Sequence, residues 1–146
     1  MRYAFALFVV LWLIPGLALS AEKPKKHPID KALEDCMEKD WSTAGMANCT
    51  YKAEQMWDKE LNRNYRALMQ KLPQADREVL RSAQKKWLEF RDNEFKLIDS
   101  IYAKLQGTMY IPMRASEAEE IVKKRALELA NYLDLAATIE EQGTEK

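Results

Sequence analysis

Two cysteines, one histidine and a few oddly placed charges are the chemically pointed residues of this chain. Cys36 and Cys49 stand thirteen apart, unlike the Cys-x-x-Cys spacing of redox pairs. In an oxidising compartment they read as one structural disulfide. His27 sits beside Pro28 without a serine or cysteine placed for it to activate, so nucleophilic catalysis lacks its couple. One histidine and two cysteines are too few for the usual His/Cys metal sites, and no metal or cofactor is expected. Carboxylates such as Glu119, Glu120 and Asp92 abound, but glycoside hydrolysis needs two of them across a cleft. The chain also lacks a glycine-rich phosphate loop. The chain is therefore not expected to be an enzyme.

Two charges fall on otherwise apolar helical stripes, Glu94 and Arg125. An unpaired buried charge is costly, so the two are expected to meet as a structural ion pair. The remaining candidates are apolar residues in connections. Trp41 lies between the cysteines, and Gly107, Thr108, Met109, Tyr110 and Ile111 lie in a later connection. Loops on a rigid scaffold often carry binding, and aromatic residues anchor interfaces. These six are the candidate partner contacts, with Tyr110 as first anchor and Trp41 as second.

Long helices must position these residues. Four Gly and five Pro in 146 residues are too few for a turn-rich β fold, and the composition favours helix. Periodicity predicts a short helix from Ile29 to about Asp40, then one from Ala44 to Leu72 capped by Ser42 or Thr43. Pro73 ends it. A third helix is predicted from Gln74 to Leu105, with Leu80, Ala83, Trp87, Phe90, Glu94, Leu97 and Ile101 facing inward. Gly107 supplies the left-handed stop. Met109–Met113 reads as a linker, and Ser116 with Glu119 as the capping box of a last helix ending near Glu140. The fold class is all-α: an up-down bundle of three long helices plus a short N-terminal helix tethered by one disulfide.

Residues 1–20 read as a signal peptide: Arg2, an apolar run from Ala4 to Ile14, then Ala18-Leu19-Ser20 as cleavage signal. Residues 21–28 read as a flexible tail, 29–141 as the helical domain and 142–146 as a frayed end. The predicted place is periplasmic or secreted, with no stable membrane anchor after cleavage. Lys+Arg and Asp+Glu each number 23, and loss of Arg2 leaves one acid in excess. Such a balance argues against nucleic acid as a partner.

The order Cys36…Cys49, Trp57-Asp58, Leu61-Asn62, Tyr65, Gln84, Trp87, Phe90-Arg91-Asp92 with Glu94, Gly107-Thr108 and Arg125 resembles the LprI-like lysozyme-inhibitor family of exported bacterial proteins. The likeness spans roughly Leu33 to Leu133 and is most specific from Leu61 to Glu94. The family commonly carries a second cysteine pair, at positions held here by Phe95 and Glu117. The resemblance implies a protein partner, lysozyme or another peptidoglycan hydrolase, whose cleft is blocked, including a role as immunity protein. The alternative is an envelope structural or stress-related helper without a hydrolase target.

Overall fold

A computed structural model describes residues 25–144; the expected signal peptide and the first half of the expected tail, residues 21–24, lie outside the described residues. Four helices follow one another: α1 (Pro28–Met37), α2 (Thr43–Lys71), α3 (Gln74–Tyr102) and α4 (Tyr110–Thr144). No strand occurs among the described residues.

Local chemistry fixes the helix ends. Pro28 opens α1, where its missing N–H costs nothing. The His27 Nδ1 accepts from the Ile29 N–H at 3.2 Å, so His27 caps α1. Ser42 caps α2 by accepting from the Gly45 N–H at 3.0 Å. Asp40 in turn accepts from the Ser42 hydroxyl at 2.7 Å. Leu72 is extended ahead of Pro73, as proline requires. Arg77 then ties the turn by donating to the Leu72 carbonyl at 2.6 Å. Gly107 has φ of +115°, the region glycine alone enters cheaply.

The last helix starts earlier than its sequence predicts. Tyr110, Ile111 and Met113 form its first turns, and Ser116 with Glu119 lies inside it, where no capping box is needed. Pro112 is the third residue of α4, within the turn whose N–H groups have no intrahelical partner, so it does not break the helix. The helix also continues beyond Glu140 to Thr144.

α2 and α4 run parallel and in close contact. Tyr51 meets Arg114 near one end, and Asn64 Nδ2 donates to the Ala126 carbonyl at 3.1 Å further along. Small residues allow this approach: Ala47, Ala53, Ala115 and Ala126 are all buried. α3 returns between them in sequence and lies antiparallel on α4, with Asp99 beside Arg114 and Gln84 beside Arg125. α1 lies against α2, fixed at one end by the Cys36–Cys49 disulfide with Cα atoms 5.7 Å apart. At its other end Ile29 enters the core with Trp57, Leu61, Val122 and Leu129.

The inner face of α3 differs from the predicted stripe by one position. Leu80, Gln84, Trp87, Arg91, Phe95, Ile98 and Tyr102 are buried or half-buried. Ala83 is exposed, and Phe90, Leu97 and Ile101 are about half exposed. Polar Gln84 and Arg91 occupy inner positions because each has a partner there, so hydrophobicity alone picked the neighbouring stripe.

Candidate functional site

The expected pairing of Glu94 with Arg125 is not made. Arg125 is buried, and its guanidinium donates to Gln84 Oε1 at 3.1 Å and to Glu128 Oε2. Glu94 lies ten residues beyond Gln84 on α3, about 15 Å along the axis. Antiparallel packing therefore puts it near the start of α4 rather than its middle. Burial pushes the Glu128 carboxyl up, but the Arg125 and Tyr132 hydrogen bonds together outweigh it and hold the group below its usual range.

The six predicted partner contacts separate into two groups. Trp41 is 78% exposed in the α1–α2 turn, and its indole N–H donates to the Glu38 carbonyl at 3.1 Å. Gly107 and Thr108 are exposed in the α3–α4 connection, and Met109 is 62% exposed beside them. Because α2 and α4 are parallel, both connections lie at one end of the bundle. Tyr110 is committed to packing instead: it is half-buried, with its ring 6.4 Å from Tyr102 in an edge-to-face arrangement. Ile111 is about half exposed on the first turn of α4. Tyr102, Tyr110, Ile111 and Arg114 line a shallow cavity of about 350 Å³ beneath the connection.

The remaining motif residues divide between core and flank. Trp57 and Leu61 are fully buried. The Trp57 ring stacks on His27 at 4.3 Å and lies 5.6 Å from Lys123 Nζ, so α1, α2 and α4 meet on it. Lys123 also pairs with Asp30 at 2.7 Å. Glu119 is buried beside them, and burial raises its pKa, partly opposed by Lys123. Neither its Oε1 nor the Trp57 Nε1 has a hydrogen bond of good geometry among the described residues. The indole still lies near enough to favour the charged form.

Asn62, Tyr65, Gln84, Trp87 and Arg91 line an open groove of about 450 Å³ between α2 and α3. The Arg91 guanidinium carbon sits 5.5 Å from the Trp87 ring and 5.8 Å from the Phe95 ring, an aromatic–cation ladder at four-residue steps. Asp92 accepts from Arg91 at 2.7 Å, which further fixes it. Phe90 is about half exposed and does not line the groove. Outside this groove, Glu54 lines a neighbouring cavity with Arg91 and Phe95; burial raises its pKa, and Arg91 pulls it back down. Sequence reasoning missed the burial of Glu119, the Asn64–Ala126 contact and the Asp30–Lys123 pair, all of which bring together residues distant in the chain. The ladder was legible in principle, as Trp87, Arg91 and Phe95 at steps of four.

No group of three His, Cys, Asp or Glu residues suited to a metal occurs among the described residues. None of their helices is long and apolar enough to cross a membrane.

The family profile described as "Lysozyme inhibitor LprI" matches residues 35–129. The chain belongs to the LprI family. The match takes in every motif residue named above, from Cys36 to Arg125. The crystal structure of an uncharacterized protein from Burkholderia thailandensis is similar, with 33% identity and a TM-score of 0.74. The likeness covers 78% of this chain and 57% of that one, so this chain spans little over half of the solved protein's length. No curated protein matches. Phe95 and Glu117, the two positions at which the resemblance leads one to expect a second cysteine pair, fall at one level of the antiparallel α3 and α4. Here Phe95 fills its position by packing on the core, and Glu117 is exposed.

Proposed function

We propose that this LprI-family chain is an exported, periplasmic or secreted protein that binds lysozyme or a related peptidoglycan hydrolase and blocks its cleft. The observation supporting a protein contact is Trp41. A large aromatic ring is left exposed while its only polar atom is already bonded, to Glu38. Fixing the ring in advance removes part of the entropy cost of docking it, and tryptophan is a favoured anchor. Met109 adds a flexible apolar contact at the same end of the bundle. This moves the anchor from Tyr110, which packs on Tyr102, to Trp41. The balance of 23 basic and 23 acidic groups offers no global attraction to a basic hydrolase, so steering would be weak and local.

Residual lysozyme activity titrated with the purified chain tests the reading. A stoichiometric loss of activity is expected. Trp41→Ala with Met109→Ala should weaken inhibition by tenfold or more, the scale of a lost anchor, with an unchanged melting temperature. Undiminished inhibition by a normally melting double variant would reject this surface. Full lysozyme activity at large excess of the parent chain would reject the target.

A further inference from the structure

The flank between α2 and α3 carries chemistry that a contact at the end of the bundle does not use. We propose that this groove binds a carboxylate-bearing saccharide, the chemistry of a glycan strand that carries acidic sugars. Its volume of about 450 Å³ falls within the ~300–1,000 Å³ of ordinary ligand sites. It is open along one side, which suits a chain rather than a small compact molecule. From Arg81 to Arg91 its α3 wall extends ten residues, about 15 Å, room for a short oligosaccharide.

Charge sets the sign of the ligand. Arg81, Lys85 and Arg91 line the groove against the single carboxylate of Asp58. Lys85 has no ion-pair partner among the described residues. Arg81 and Arg91 are paired with Glu78 and Asp92, but each guanidinium has five N–H donors and keeps some free. An anion therefore finds donors on α3 without displacing an existing bond.

The remaining polar groups select a hydroxyl-rich anion. Asn62 donates through Nδ2 to Asp58 at 3.0 Å, which leaves its Oδ1 to accept. Gln84 accepts from Arg125 through Oε1, which leaves its Nε2 to donate. The Tyr65 hydroxyl makes no hydrogen bond among the described residues and can do either. Sugar hydroxyls donate and accept, so they match this mixture; the carboxylates of an acidic peptide ask for donors alone. Tyr65 and Trp87 add aromatic surface, on which the C–H faces of pyranose rings pack. The wall is also pre-arranged. Asn62 is held by Asp58, and the Trp87 ring lies 5.5 and 5.9 Å from the Arg91 and Arg125 guanidinium groups.

Heteronuclear NMR titration of the intact chain with three probes tests the proposal. The probes are a tetrasaccharide of alternating N-acetylglucosamine and N-acetylmuramic acid, neutral chitotetraose, and tetraglutamate. The acidic saccharide should shift the Trp87 indole and Asn62 side-chain amide signals and bind about tenfold tighter than chitotetraose, the scale of one charge-assisted hydrogen bond. Arg81→Gln with Lys85→Gln should reduce it to the level of chitotetraose at an unchanged melting temperature. Tyr65→Phe should weaken both saccharides. Lysozyme inhibition by the charge variant should equal that of the parent, so failure of the inhibitor reading leaves this proposal standing. Absence of groove shifts with either saccharide, equal binding of the two, tighter binding of tetraglutamate, or a charge variant that keeps the preference would each overturn it.

Discussion

Glu119 places a carboxylate where packing offers it little. It is buried among Trp57, Lys123, Asp30 and Glu120, with one oxygen unbonded, and burial raises its pKa. The folded chain therefore holds this proton more tightly than the unfolded chain does. Between the ordinary glutamate range and the raised folded value, the unfolded state carries fewer protons, so stability falls as pH rises. Below that window the penalty is absent, and above it the penalty is complete. Glu119→Gln should then stabilise the protein at pH 7 by about 1 kcal/mol, the low end for an unsatisfied buried polar atom. Lys123 keeps Asp30 as its partner at 2.7 Å. Thermal melts at pH 5 and pH 7 should show the advantage of the variant growing with pH; a parent more stable at pH 7 would contradict this. The two seam charges behave differently from each other. Arg125→Ala should cost about 1–3 kcal/mol by leaving the buried Gln84 oxygen without its donor. Glu94→Gln, without a buried partner to lose, should stay within ~0.5 kcal/mol in urea melts.

At the scale of elements, the short helix α1 depends on attachments at both ends. The disulfide holds its C-terminal end across thirteen residues. His27 on Trp57, Ile29 in the core and Asp30 on Lys123 hold the other. Replacing both cysteines by Ala should cost about 3 kcal/mol in the chain-entropy picture, with α1 losing amide protection before α2 and α4. Equal stability of the reduced and oxidised chains would contradict that. Helix existence and the bundle class were legible because apolar residues recur at steps of three and four, with Ser42 and Pro73 marking boundaries. The register of α3 was not. Gln84 and Arg91 face inward only because Arg125, Trp87 and Phe95 receive them, and a polar residue with a distant partner looks like surface in a linear pattern. The start of α4 was misplaced for a related reason. Pro112 and a serine followed by glutamate imitate a boundary that tertiary structure does not use. For the candidate site, the exposed Trp41 and Met109 could be named from sequence, whereas the groove could not. Its walls belong to two helices whose separation depends on how each sits on α4.

At the scale of the whole molecule, the parallel pairing of α2 with α4 has a kinetic consequence. Parallel neighbours cannot be joined by a tight turn, so the chain must travel the full length of α3 before they meet. Asn64 and Ala126 are 62 residues apart in sequence, Tyr51 and Arg114 63, and Asp30 and Lys123 93. An all-helical protein ordinarily folds fast because its contacts are local. Here the largest apolar interface closes a long loop, and that closure entropy must be met before the buried alanines and Trp57 contribute anything. Stopped-flow refolding is therefore expected to be slower than for an antiparallel helical hairpin of similar size. Ala126→Gly should lower the refolding rate if α2–α4 docking forms the nucleus, while substitutions on the outer face of α3 such as Leu97→Ala should chiefly change unfolding. A chevron whose folding arm responds to Leu97 and ignores Ala126 would place the nucleus on α3 instead. The same long closure means that during synthesis α2 and α3 emerge before α4, so Ala53, Trp57 and Leu61 of α2 wait uncovered until Val122, Ala126 and Leu129 have been made.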